Sequence, residues 1–201
     1  NLGECCDAIC AYIDNPEITT DELMQYIKGP DFPTGGIVMG RSGIREAYET
    51  GRGRVVVRSK TDIEVDDKGR ETIVVTEIPY MVNKREMIEK IAQMVEDKRI
   101  DGISYINDET SREGIRVIIR LKQGANANVV LNTLFKYTPL QSSFSFYNVA
   151  LVKGRPRTLS LKEILGTFID FRHEVVVRRT KFELDKAQKR AHILEGLLKN
   201  R

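Results

Sequence analysis

RVVVRSKTDIEVDDKGRETIVVTEIP, residues Arg54 to Pro79, is the stretch that decides the fold. Its first half, Arg54–Val65, alternates and is rich in β-branched residues, which pack well on a pleated strand and lose rotamer freedom in a helix. Asp66-Asp67-Lys68-Gly69 has the residue types of a hairpin turn, and Glu71–Ile78 reads as the returning strand. Pro79 offers no N–H to a ladder and ends it. The period then changes. Asn83 is placed to cap a helix running from about Lys84 to Arg99, with Met87, Ile88, Ile91 and Val95 on its apolar face. Strands are expected at about 103–107 and 115–122. A second helix, Ala125–Thr138, turns Val129, Val130, Leu134 and Phe135 to the core, and Ser143–Val152 is a last strand. The order β-β-α-β-β-α-β predicts an α+β fold, a mostly antiparallel sheet with helices packed on it.

Working outward, residues 2–14 and 20–28 read as two short helices, the second capped by Thr20 or Asp21. Gly29-Pro30-Asp31-Phe32-Pro33-Thr34-Gly35-Gly36 is a loop dense in turn formers, followed by a short helix at about 42–49. At the other end, Ser160–Arg201 contains no Pro and only Gly166 and Gly196. Leu161, Ile164, Phe168, Phe171 and Val175, then Leu184, Ala187, Ala191, Leu194 and Leu198, recur at helical spacing. Such a helix extends roughly 60 Å at ~1.5 Å per residue, a length suited to an arm or a coiled coil. No Gly or Pro follows Arg201 to cap it, and Asn1 is not an initiator Met, so the chain reads as part of a larger protein. Three segments are expected: 1–53, a helical lead-in with its loop; 54–158, the α/β core; and 159–201, the helical arm.

The 201 residues suffice for one domain and an appendage. Hydrophobic residues at 41% and charged residues at 30% describe a soluble globular protein. No apolar run approaches the ~20 residues of a membrane span and no signal peptide is evident, so a cytoplasmic location is expected. Cys5, Cys6 and Cys10 are odd in number and crowded, and read as reduced thiols on or beside one helix rather than a disulfide or zinc framework. The net charge of +3 conceals two basic zones. Residues 41–60 carry Arg41, Arg45, Arg52, Arg54, Arg58 and Lys60 against Glu46 and Glu49, and residues 153–190 are also rich in Lys and Arg. Residues 61–114 are acidic. Basic zones on a near-neutral chain suit a polyanion held by one face.

Gly51-Arg52-Gly53-Arg54 opens the first strand. It is not a P-loop, because no G-x-x-x-x-G-K-[ST] exists here. Two readings stand: a tight helix-to-strand turn with solvated arginines, or a backbone that approaches a phosphate closely. Arg54, Arg58 and Lys60 share strand parity and should lie on one sheet face, a stripe suited to a duplex backbone. Arg41, Arg52, Arg54, Arg58 and Lys60 are therefore the candidate phosphate contacts, with Arg155 and Arg157 of the Gly154-Arg155-Pro156-Arg157 turn as second candidates. Asp62, Glu64 and Asp66 also share a strand face, but lack converging partners for a metal and read as a solvated face. His173-Glu174 is not a zincin motif, since position 177 is Val. The two histidines, His173 and His192, both fall in the long helix, and no catalytic constellation is visible.

Several longer motifs carry a resemblance. They are Gly29–Thr34 (GPDFPT), Gly43–Arg54 (GIREAYETGRGR), Glu77–Lys84 (EIPYMVNK), Asp101-Gly102-Ile103 followed by Asp108-Glu109, and Arg190–Leu197 (RAHILEGL). Over essentially its whole length the chain resembles the A subunits of bacterial DNA gyrase, and shares many of these motifs with the paralogous topoisomerase IV A subunits. The resemblance implies part of an ATP-dependent type II DNA topoisomerase. This region would be the tower, which supports bent gate DNA, and the start of the coiled coil leading to the exit gate. The implied partners are double-stranded DNA, the gyrase B subunit, and another copy of the gyrase A chain in an A2B2 assembly. Mg2+ and ATP would be held by the B subunit, with no cofactor in this region. The family's nucleophile is a Tyr directly after an Arg. None of the seven tyrosines here follows an Arg, so the resemblance implies no catalytic residue in this piece and an inactive fragment.

Overall fold

The computed structural model describes residues 1–199. The expected end of the long helix at Arg201 lies outside the described residues. The elements begin with α1 (Leu2–Asp14) and α2 (Thr20–Tyr26). There follow β1 (Ile37–Met39), α3 (Ser42–Thr50), β2 (Arg52–Arg58), β3 (Lys60–Val65), β4 (Glu71–Glu77) and α4 (Lys84–Glu96). Next come β5 (Ile103–Asp108), β6 (Val117–Leu121), α5 (Ala127–Tyr137) and β7 (Gln141–Tyr147). The last are β8 (Val149–Val152), β9 (Arg155–Thr158) and α6 (Leu161–Lys199). The class is α+β with antiparallel pairing throughout, as the residue pattern predicts. Two compact units form: Lys28–Asn148, and a second made of Asn1–Ile27 with Val149–Arg201.

In the Lys28–Asn148 unit, a four-stranded sheet of order β3-β4-β6-β5 carries the main core. Ile73 and Val75 of β4 and Val117 and Ile119 of β6 turn to one side, where Met87, Ile91 and Met94 of α4 and Val130 and Leu134 of α5 bury them. Asn83 caps α4 by accepting from the Arg85 and Glu86 N–H groups, and Asn126 does the same for α5 through Asn128 and Val129. The β3–β4 turn closes as its residue types predict. Asp66 accepts from the backbone of Lys68 and Arg70, and Gly69 takes a positive φ of 76°.

A three-stranded sheet of order β1-β2-β7 is separate from the first. The stretch Arg54–Val65, expected as one strand, is thus two. Ser59 is buried and its N–H donates to the Leu140 carbonyl, so the ladder breaks there and resumes with a bulge at Lys60/Thr61. Alternation continues across the break, which is why the pattern alone does not reveal a change of sheet. The expected last strand likewise divides, into β7 and β8.

In the other unit, Thr19 rather than Thr20 or Asp21 caps α2. Its hydroxyl accepts from the Glu22 N–H while the Glu22 carboxylate accepts from the Thr19 N–H. β8 and β9 form a hairpin, and α6 runs for 39 residues. Leu165 is buried, whereas Phe168, Phe171, Phe182, Leu194 and Leu198 are exposed. Cys5, Cys6 and Cys10 are free thiols on α1. Among the described residues no helix is long and apolar enough to cross a membrane.

Candidate nucleic-acid interface

The three-stranded sheet has two unlike faces. On one, Gly53 and Val55 meet α3, whose Ile44, Ala47 and Tyr48 are buried, and Val57 lies against Gly36. The glycines of residues 43–54 make this close docking possible. A Cβ on Gly43 would strike the Arg54 carbonyl, and one on Gly53 would lie 2.7 Å from the Ala47 nitrogen. Gly51 ends α3 in the left-handed conformation at φ 79°, which costs a side-chain-bearing residue energy. The same sheet side holds Phe144, whose ring centroid is 5.0 Å from that of Phe32 in the Gly29–Gly36 loop. Tyr80 stacks on Phe32 at 5.7 Å. Glu77 fastens the loop further, accepting from the Gly36 N–H at 2.6 Å.

The opposite face carries the arginines, exposed at Arg52 and Arg54 and half-buried at Arg58. Arg52, Arg54 and Arg58 lie across from Tyr147, Ser145 and Gln141 of β7. Arg52 donates to the Tyr147 hydroxyl at 3.0 Å, with its guanidinium 4.6 Å from that ring's centroid. Arg54 donates to the Ser143 hydroxyl at 2.8 Å. Arg58 donates to the Gln141 side-chain oxygen at 2.7 Å and lies 4.5 Å from the Phe135 ring centroid. Each guanidinium is held by neutral groups. Its position is restricted while its charge stays uncompensated by any carboxylate among the described residues, a state suited to a phosphate. Exposed Ile37 and Met39 of β1 lie across from Arg58 and Val56 on this same face.

The remaining candidates sit elsewhere. Lys60 belongs to β3 in the other sheet, so the expected single stripe of Arg54, Arg58 and Lys60 does not form; the strand break at Ser59 separates them. Its ammonium is 3.9 Å from Glu77, so unlike the arginines it has an acidic partner. Arg41 is exposed at the N-cap of α3. Arg155 and Arg157 are exposed on β9 in the other unit, with Arg157 3.9 Å from Glu163. Sequence reasoning missed the β7 partners: in QSSFSFY, the strict alternation of Phe with Ser already marked a two-faced strand.

The acidic strand face is not simply solvated. Arg116 lies 3.5 Å from Glu64 and 3.3 Å from Glu109, and Asp66 is 3.0 Å from both Arg70 and Arg120. The Arg70 backbone N–H, with further bonds from that residue's side chain and Lys68, holds the Asp66 carboxyl below its usual range. Across the sheet, the Lys84 ammonium 2.8 Å from Asp108, aided by Thr110, lowers the Asp108 carboxyl to about 2. Asp66 and Glu64 are thus committed to arginines, and no three His, Cys, Asp or Glu side chains among the described residues converge for a metal.

The whole chain, residues 1–201, matches the family model for the A subunits of DNA gyrase/topoisomerase IV. It is 57% identical over 98% of its length to the DNA gyrase A subunit of Clostridium acetobutylicum, covering 24% of that protein. It is 56% identical, over 98% of its length and 24% of the relative's, to that of Streptococcus pneumoniae. With its Pseudomonas aeruginosa counterpart it is 55% identical over 98% of its length and 22% of the relative's. The chain therefore spans about a quarter of the length of the curated relatives it matches.

Proposed function

The chain belongs to the family of DNA gyrase/topoisomerase IV A subunits, and on that premise we propose that it is the tower and first arm helix of a gyrase A subunit, bearing on gate-segment duplex DNA. The observation that carries this reading is the arginine-bearing face of β2 and β7. Three arginines there are positioned by neutral partners and left free to meet phosphate. Arg52, Arg54 and Arg58 are the primary contacts; Arg41, Lys60, Arg155 and Arg157 contribute charge from other elements. The assignment to gyrase rather than topoisomerase IV is supported by relatives at 57% and 56% identity that are both gyrase A subunits.

In this reading the piece supports bent gate DNA and passes motion along α6 toward the exit gate. It does not cut DNA itself, for no Tyr in it directly follows an Arg. The whole enzyme would be a cytoplasmic A2B2 assembly whose partners for this chain are DNA, the B subunit, and another copy of the gyrase A chain. Mg2+ and ATP would enter through the B subunit, where they serve strand cleavage and supercoiling.

Fluorescence anisotropy of a ~30 bp duplex, titrated with the chain across a salt series, tests the DNA contact. Binding should be sequence-independent, with log affinity falling by roughly 0.9 per phosphate contact for each unit of log salt. The Arg52/Arg54/Arg58 triple alanine variant should flatten that slope by about 2.7. An unchanged slope would make this face a spacer with solvated arginines.

A further inference from the structure

We propose a second phosphate-binding site, a cavity of about 390 Å³ lined by Lys90, Met94, Arg99 and Tyr137. It goes beyond the arginine face of β2 and involves none of those residues. Lys90 and Met94 are one helical turn apart on α4 and so share a side of it. The chain then doubles back. Lys98 adopts a left-handed φ of 57°, and the Arg99 N–H donates to the Met94 carbonyl at 2.9 Å. That arrangement is a helix-ending turn that ordinarily takes Gly at the left-handed position, and here a lysine bears the strain. Its consequence is to return Arg99 to the side of the helix that carries Lys90. Tyr137, the last residue of α5, supplies the facing wall, and the Lys136 ammonium lies 5.1 Å from the centre of its ring.

The charge balance points to an anion. Lys90, Arg99 and Lys136 form no ion pair with a carboxylate among the described residues: Glu89 pairs with Arg85, Asp97 at the C-cap of α4 accepts from Gln93, and Glu86 and Glu96 of α4 are exposed and do not line the cavity. Two cations and a phenol hydroxyl around a buried thioether floor match a phosphoryl group, with charge-assisted bonds from Arg99 and Lys90 and a neutral donor from Tyr137. The group could belong to a duplex backbone or to a free polyphosphate.

Lys90→Gln/Arg99→Gln separates these sources, with Tyr137→Phe as a second variant that keeps the ring and removes the hydroxyl. Both replaced cations are exposed, so neither variant disturbs the core. The probes are the ~30 bp duplex by anisotropy over a salt series and sodium tripolyphosphate by titration calorimetry. If the group is a DNA phosphate, the double variant lowers the salt slope by about 1.8, additively with the Arg52/Arg54/Arg58 variant. If it is a free polyphosphate, tripolyphosphate binds the unaltered chain at one equivalent and the double variant weakens it by roughly tenfold or more. Equal affinities and slopes for the unaltered chain and the double variant with both probes overturn the site, whatever the triple variant does.

Discussion

Replacing Gly53 by alanine probes the joint on which the arginine face depends. Gly53 has no positive φ, so alanine is conformationally acceptable there and the effect is steric. The added methyl would lie 2.7 Å from the Ala47 nitrogen, 2.7 Å from the Gly43 carbonyl oxygen and 2.9 Å from the Ala47 Cβ. Two of these three are backbone atoms, which have no rotamer by which to yield. Either α3 or β2 must move by several tenths of an ångström, and overpacking of this kind costs about 1–3 kcal/mol. With a urea m-value of about 2 kcal/mol/M, the midpoint should fall by about 0.5–1.5 M. The near-ultraviolet circular dichroism of Phe32, Tyr80 and Phe144 reports on the same unit and is the signal to follow. Gly196→Ala is the matched control, since its Cβ meets nothing within 4 Å and lies inside α6. It should stabilise the helix by about 0.5–1 kcal/mol. A Gly53→Ala midpoint equal to that of the unaltered chain would refute close docking as the reason for glycine at this position.

The Lys84–Asp108 pair makes stability depend on acid. Because the folded Asp108 carboxyl is lowered from 3.8 to about 2, its contribution is complete above pH 4 and disappears as pH falls from about 4 through about 2. Discounted for its partial exposure, that contribution is on the order of 1 kcal/mol, and Asp108→Asn should lose it at pH 6 yet match the unaltered chain near pH 2. A gap of constant size across that range would show that the ionised pair is not its source. Met81, 80% exposed at φ 68° in the turn after Pro79, carries strain that glycine relieves. Met81→Gly should therefore gain about 0.5 kcal/mol in thermal or urea unfolding, and a loss would mean its side chain packs usefully. The Ser59 hydroxyl is buried without a partner. Ser59→Ala should be neutral or stabilising by up to about 1 kcal/mol, and a loss beyond that would reveal a hydrogen bond, such as one to an ordered water.

Local chemistry was sufficient to read most elements from the sequence. Asn83 announced its helix because a side-chain oxygen satisfies orphan N–H groups whatever lies around it. The Asp66–Gly69 turn, the α+β class and the long apolar-striped helix were legible for the same reason: each is decided by residues close together in sequence. Arginine parity along β2 was legible too, since alternation is a property of the strand itself. What the strand pairs with is not. Only the tertiary structure decided that Ser59 ends one sheet's ladder and Lys60 begins another's, that Tyr147, Ser143 and Gln141 hold the three guanidiniums, and that Arg99 returns beside Lys90. Those outcomes depend on hydrogen bonds and contacts between residues as many as 95 positions apart, as with Arg52 and Tyr147. A local pattern fixes which way a side chain points relative to its own backbone, but the competition among distant partners for each free donor, acceptor and apolar face is settled only when the chain is packed.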